Sequence, residues 1–415
     1  MSAETPAPER EHDLVVFGAT GFVGRLTALY LAEHAPSTVK VALAGRSRAK
    51  LESIRETLPG AAREWPVVVA DSHDPVALGE LARSTRVVIT TVGPYARYGL
   101  PLVAACAEAG THYADLTGET LFMRKSIDSA DAVAKESGAR IVHTAGFDSI
   151  PSDLGVLALH DAAQAAGAGE LAETTFVVVA MSGGLSGGTI DSLRNQLDEG
   201  RADKDARRLA ADPYALSPDR SADPDPRGER DPTGVSRDPH TGAFLAPFVM
   251  GTVNTRVVRR SNALQGYAYG RGFRYQELMS GGKGPLGAVK AGAIVAALAG
   301  VVGGLSVKPT RKVLDRMLPD PGEGPSEAAR EKGFFRIDIT TTTASGRRFR
   351  CRIAASGDPG YKATAVMLGQ AGLCLLQDEE KLPKVAGVLT PATAMGNVLT
   401  DRLRAVGHSY DVTEL

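Results

Sequence analysis

Leu14-Val15-Val16-Phe17-Gly18-Ala19-Thr20-Gly21-Phe22-Val23-Gly24 is the stretch that decides the fold. Four apolar residues in a row predict a buried strand, and the glycines predict a tight turn into a helix. The first amides of that helix have no internal acceptor, and with the helix dipole they favour an anion, above all a dinucleotide pyrophosphate. Gly18 permits the turn, Gly21 admits the phosphates to the backbone, and Gly24 lets helix and strand pack closely. Ala19, Thr20, Phe22 and Val23 complete the cradle. The spacing is G-x-x-G-x-x-G, a variant of the dinucleotide fingerprint, and alone it is equally the mark of an ordinary glycine-rich turn.

The context selects between those readings. A second apolar run, Val39 to Ala44, follows a helix's length later and completes a βαβ unit. An NAD site carries Asp or Glu near the end of this second strand, to accept from the ribose 2′-hydroxyl. Here the chain reads Gly45-Arg46-Ser47-Arg48. Arg46 pairs with a 2′-phosphate and Ser47 donates to one, so the expected cofactor is NADP(H).

The alternation continues. Residues 66–70 read as a strand ending at Asp71, and residues 86–91 as one ending at Val92-Gly93-Pro94-Tyr95. Strands alternating with helices predict a parallel, doubly wound sheet with ligands at the strands' C-terminal ends. Asp71 is placed to accept from the adenine amino group or to sit beside a helix cap. Val92, Gly93 and Pro94 are expected to wall the nicotinamide half.

Composition bounds the rest. A chain of 415 residues exceeds one ordinary core, so two domains are expected. A formal net charge of -1 gives no reason to expect nucleic acid. Cys106, Cys351 and Cys374 lie scattered in apolar surroundings, which suits reduced thiols in the cytoplasm. The histidines form no HxxxH group, and no metal site is expected. Residues 1–12 are polar and read as a flexible tail without a signal-peptide pattern.

GATGFVG, GRS, TVGPYARYG (residues 91–99), YADLTGE (113–119) and GFDSIPSDLG (146–155) follow one another in this order. In this combination the chain resembles the saccharopine dehydrogenase-like oxidoreductases, and more narrowly the trans-acting enoyl reductases of mycobacterial lipid biosynthesis. The resemblance implies a Rossmann-type NADP-binding domain over residues 13–155 and a second α+β domain over 156–360, for substrate or dimerisation, on a mixed or antiparallel sheet. It returns the helices of 361–415 to the first domain. It also implies a small-molecule or carrier-bound lipid substrate and a polyketide synthase partner.

Within the second domain, 174–180 reads as a strand and about 189–197 as a helix, while 335–343 and 347–355 form a hairpin turning at Ser345-Gly346. A helix is expected to open at about Leu154, capped by Ser152 or Asp153. Residues 202–242, rich in Asp, Arg and Pro, read as a mobile loop. Residues 244–250 and 253–258 read as ordered strands, and the aromatic run 267–275 as packing beside an interface or cleft. The apolar segment 284–307 has four readings: a buried helix, a helix packed in a homodimer, a helix in peripheral contact with the inner face of a membrane, or, least favoured, a membrane span. Its uncharged core, Ala291 to Val307, is 17 residues with four glycines, which is short for a bilayer span.

No nucleophile elbow or metal set is present, and hydride transfer fits because the cofactor carries the reactive atom. Reducing an activated alkene needs a donor for the developing enolate oxygen and a proton for the α-carbon. Tyr95, beside the expected nicotinamide, is the first candidate, followed by Tyr113 and by Ser149 with the amides of 146–149. Asp148 caps a turn or faces substrate, and His143 reads as a satisfied core histidine. Three functions stay open: enoyl reduction of a long-chain acyl or polyketide intermediate, imine reduction of the saccharopine type using Arg97, Arg271 and Arg274, and a non-catalytic nucleotide-binding, lipid-associated scaffold.

Overall fold

The computed structural model describes residues 10–183, 187–224, 229–306 and 324–415. Most of the tail expected over 1–12 therefore lies outside the described residues. Its last part is anchored: the Arg10 guanidinium donates to the carbonyls of Ala82, Arg83, Thr85 and Ala109, and the first strand begins at His12.

The N-terminal half builds six parallel strands, β1 (His12–Phe17), β2 (Val41–Gly45), β3 (Val67–Val69), β4 (Thr85–Thr90), β5 (His112–Asp115) and β6 (Arg140–Val142). Helices α1 (Phe22–His34), α2 (Arg48–Thr57), α3 (Pro75–Ser84), α4 (Tyr95–Ala109) and α5 (Thr120–Ser137) alternate with them. Helix α6 (Ile150–Ala165) then leads into β7 (Leu171–Ser182), α7 (Gly187–Ala202), α8 (Lys204–Ala211), β8 (Ser236–Arg237), β9 (Phe244–Pro247) and α9 (Gly251–Leu264). Next come β10 (Arg274–Gly282), α10 (Gly284–Ser306), β11 (Phe334–Thr343) and β12 (Arg348–Ser356). Strand β13 (Gly387–Leu389) returns to the first sheet and β14 (Ser409–Glu414) closes the second.

The first sheet runs β13-β6-β5-β4-β1-β2-β3, all parallel, with the order reversing between β1 and β4. Strands β1, β2 and β4 are buried on both faces, which is why they read as continuous apolar runs. The second sheet runs β14-β12-β11-β7-β10-β9-β8 and is mixed: β7 and β10 are parallel, and the remaining pairs are antiparallel. The Rossmann-type sheet beside a mixed second sheet is the predicted fold class.

Helix α6 joins the two layers. A Cβ at Gly155 would lie 2.5 Å from Ile339, so the bare glycine lets α6 seat on the second sheet. The rings of Phe147 and Phe335 meet with centroids 4.8 Å apart. Helix Thr364–Gln377 packs back on α1 and β4, and its Gln370 amide donates to the Tyr30 hydroxyl at 2.7 Å.

Several expectations are corrected. The stretch 253–258 lies within α9 and is helical, in a run from Val253 to Asn262 that is buried residue after residue. Of residues 202–242, the described part is held in place. Three buried arginines of α9 bind it: Arg256 to Asp231 and the Ala211 carbonyl, Arg259 to Glu229 and the Pro213 carbonyl, and Arg260 to the Leu216 carbonyl. Helix α6 begins at Ile150 with Ser149 as its cap residue, so Ser152 and Asp153 fall in its first turn. The final strand, β14, joins the second sheet, so 361–415 does not wholly return to the first.

Candidate functional site

The glycine turn leaves β1 with Gly18 at φ +90°, a conformation that favours glycine. At Gly24 an added Cβ would stand 2.1 Å from the Gly18 carbonyl oxygen, so helix and turn touch. At Gly21 it would meet only that same oxygen at 3.4 Å, which leaves the outer face of the turn open. No side chain caps α1 at Gly21; the Ala19 and Gly21 amides donate to the Ala44 and Gly18 carbonyls, and the amides of Thr20, Phe22 and Val23 have no acceptor among the described residues. This arrangement fits a pyrophosphate.

Arg46 is exposed at the end of β2, beside the turn that caps α2 through the Ser47 hydroxyl. Between Thr20 and α2 runs a groove of about 310 Å³ lined by Thr20, Ala49, Lys50, Ser53 and Ile54. Lys50 was not singled out by the sequence reading, although the basic run after Gly45 carried the signal. Asp71 accepts from the His73 amide at 2.9 Å and contacts its ring nitrogen at 3.0 Å, and these bonds lower its pKa. Asp74, not Asp71, caps α3.

Val92, Gly93 and Pro94 form the loop from β4 into α4. The Val92 amide donates to the Thr90 hydroxyl, and the Gly93 amide to the Thr91 carbonyl. Glu119 closes the start of α4 from the end of β5. Its carboxylate accepts from the amides of Tyr95 (3.0 Å) and Ala96 (2.8 Å) and from the Ser192 hydroxyl of α7 (2.9 Å). Burial raises its pKa, and these donors oppose the rise. The sequence reading quoted Glu119 within a motif but gave it no role.

Tyr95 is corrected as a proton donor. It is buried, and its hydroxyl donates to the Thr90 carbonyl (3.1 Å) and accepts from the Leu116 amide (3.2 Å). Burial drives its pKa well above the ordinary value. Tyr113 is likewise buried and donates to Asp115 at 2.9 Å. His143 bridges Asp115 (2.7 Å) and the Ser126 hydroxyl (2.8 Å). This Asp-His-Ser chain resembles a hydrolase triad, yet all three residues are buried and the adjoining cavity is about 10 Å³, room for one water. It ties β5, β6 and α5 together.

The loop after β6 is buried except at Asp148, which is partly exposed. The Phe147 amide donates to Thr364 and the Ser149 amide to the Gly146 carbonyl, leaving the Gly146 and Asp148 amides without an acceptor among the described residues. The Ser149 hydroxyl is buried and donates to Asn254 at 2.8 Å, which removes it from direct contact with a ligand. Asn254 in turn donates to Glu277 at 2.8 Å, and Glu277 also accepts from Tyr275 at 2.7 Å. Burial raises Glu277 to about 7 and Asp148 to about 6. Asp148 is only partly buried and has no hydrogen-bond partner among the described residues. Asn254 and Glu277 lie more than 100 residues from Ser149 and left no local signal in the chain.

Arg97 is exposed at the start of α4, whereas Arg274 begins β10 beside Glu173, near the start of β7. The far end of β7 is the one that approaches Pro359 and the glycine turn. Arg271 packs on Tyr267 and donates to the Ala222 carbonyl. The three arginines do not converge.

Residues 14–142 match the family model of the saccharopine dehydrogenase NADP-binding domain. A Mycobacterium tuberculosis protein provisionally named a trans-acting enoyl reductase is 51% identical over 416 residues, covering 99% of each chain. A trans-acting enoyl reductase of Mycobacterium ulcerans is 46% identical, covering 98% of this chain and 99% of its own. Among solved structures, apo saccharopine dehydrogenase (L-Glu forming) from Saccharomyces cerevisiae superposes with a TM-score of 0.55 at 11% identity. It covers 97% of this chain and 100% of its own, and the likeness is one of fold.

Proposed function

Because the chain belongs to the family of trans-acting enoyl reductases and is an NADP(H)-dependent oxidoreductase, we propose that it reduces a carbon–carbon double bond in a long-chain acyl or polyketide lipid intermediate. The observation that carries this reading is the identity of about half of all residues along both full lengths, combined with an open glycine turn and Arg46 beside it. NADPH, when bound, supplies the hydride for the β-carbon.

The protein's own part is binding and proton handling. The turn Gly18 to Gly24 holds the pyrophosphate, Arg46, Ser47 and Lys50 surround the 2′-phosphate, and Val92-Gly93-Pro94 walls the nicotinamide. Asp71 lies along the adenine side. At the end of β6, the free amides of Gly146 and Asp148 receive the enolate oxygen that develops as hydride arrives. The Asp148 carboxyl, raised to about 6 by burial and so protonated chiefly below that pH, gives the α-carbon its proton. Ser149 and Asn254 position that loop.

A reductase acting in trans meets its substrate on another polypeptide, and a polyketide synthase carrying the acyl chain is the partner proposed here. Three buried, unpaired cysteines suit the reducing cytoplasm. The test is NADPH consumption by the purified protein with a long-chain enoyl thioester in one cuvette and glutamate plus aminoadipate semialdehyde in another. Oxidation with the thioester alone is expected. Oxidation with the amine pair alone would move the enzyme to imine reduction, and tight NADPH binding without turnover of thioester or carrier-bound enoyl chains would leave the scaffold.

A further inference from the structure

Helix α10 is the segment that the proposed chemistry does not use. Gly284–Leu305 is long and apolar enough to cross a membrane, yet only 11% of its most apolar window is buried. Leu286, Val289 and Val302 are exposed by 76%, 68% and 43%. A helix apolar on every side and open to water is unstable without a covering phase.

Its start is firmly joined to the second sheet. A Cβ at Gly287 would lie 2.1 Å from the Gly282 carbonyl oxygen, one at Gly281 would lie 2.4 Å from the Gly287 carbonyl oxygen, and Ala291 is fully buried. Near its other end Leu305 is buried, and the helix touches α7. The chain is next described at Gly324, against the Phe22 ring of the glycine turn. Both ends of α10 are thus held on one face of the same folded body, which excludes a crossing and leaves a helix lying along a surface.

Charge identifies that surface. The 37 residues from Leu278 to Leu314 contain no Asp or Glu but five bases, Lys283, Lys290, Lys308, Arg311 and Lys312. In a chain whose net charge is -1, this is a cationic excess along the sequence, and Lys283 and Lys290 are exposed where the helix begins. Small residues recur every four positions at Gly284, Ala288, Gly292, Ala296, Gly300 and Gly304, a stripe that a second helix can approach. A second helix, however, would set like charges, Lys283 and Lys290, beside like, with no acid on either helix. A protein groove would also cover one side of the helix and leave the others wet. Lipid covers the whole exposed arc, and anionic headgroups answer the bases.

We propose that α10 docks this enzyme onto the surface of an anionic lipid bilayer. Because α10 touches α7, and α7 binds Glu119 through Ser192 and the Gly118 carbonyl through Gln196, the docked face adjoins the site.

The test is co-flotation of the full-length chain with vesicles of phosphatidylcholine alone or mixed with phosphatidylglycerol, beside sedimentation measurements of its mass. Flotation is expected with the mixed vesicles, weakened by salt. The triple variant Leu286→Glu, Val289→Glu, Val302→Glu should lower vesicle binding by about 100-fold or more while NADPH binding stays unchanged. Absence of flotation at any composition overturns the proposal. So does a stable dimer that the triple variant splits into monomers, since that would make a second copy the covering phase. Neither result bears on the enoyl-thioester assay, which needs no membrane.

Discussion

Arg46 contrasts with the carboxylate that the same position carries in an NAD site. An acid there would repel a 2′-phosphate, whereas a guanidinium forms charge-assisted hydrogen bonds with it. Arg46 is exposed, so water competes, and the lower end of the usual range applies. Arg46→Ala should weaken NADPH by about tenfold and leave NADH nearly unchanged. Fluorescence titration with both nucleotides checks this, and equal losses would remove Arg46 from phosphate recognition. Asp148 poses a separate question at the same scale. Its carboxyl is raised to about 6 by burial. A general acid works only while protonated, so turnover should fall as pH rises through about 6 and beyond. Asp148→Asn should lower kcat by about 100-fold, leave NADPH affinity intact and abolish that limb of the profile. An unchanged pH profile in the variant would assign the proton to another group. Tyr95→Phe, by contrast, should cost stability rather than catalysis, because that hydroxyl serves the Thr90 carbonyl and the Leu116 amide.

At the scale of elements, legibility followed locality. Strands β1, β2 and β4 were readable because burial on both faces writes an apolar run, and the β11–β12 hairpin because alternation and Ser345-Gly346 mark its turn. Helix α9 misled because Val253, Val257 and Val258 read as a short apolar strand, while the burial of its arginines at 256, 259 and 260 left no local mark. They are buried only because the excursion of 202–242 folds over them, and that excursion is ordered only because they hold it. Neither half of the pair announces the other. Glu119 is a similar case: it caps α4 from 24 residues downstream, while caps are sought within the same turn. Glu119→Ala should strand the Tyr95 and Ala96 amides and cost about 2 kcal/mol. Glu119→Gln keeps one acceptor and should lose about half as much. Urea unfolding of the three proteins checks the order, and equal stability of all three would show that water caps α4 as well as the carboxylate does.

The whole molecule is two sheets sealed by polar contacts that span long stretches of chain. Ser149, Asn254 and Glu277 come from α6's entry, α9 and β10, and Asp153 of α6 holds Ser261 and the Ala392 amide. Sequence patterns carry no trace of such contacts, because each partner is an ordinary polar residue until the fold assembles them. Their assembly has a thermodynamic signature. Burial raises Asp148 and Asp153 to about 6 and Glu277 to about 7, so the folded state binds these protons more tightly than the unfolded chain. The sign follows: each contribution is fully present below the ordinary carboxylate range and is lost as pH rises through the raised value. Glu379 acts oppositely. His112, followed by Arg140 and Arg86, holds it at about 2, so its contribution is present above the ordinary range and disappears in acid. Glu277 is fully buried, and Gln of the same shape does not titrate. The stability of wild type relative to Glu277→Gln should therefore decline by up to about 3 kcal/mol between about pH 4.5 and 8, and stay level above that. Urea unfolding of both proteins across this range measures the difference. A difference independent of pH would mean that Glu277 keeps the same charge in the folded and unfolded chain, and that the seam between the sheets is not held by a protonated carboxyl.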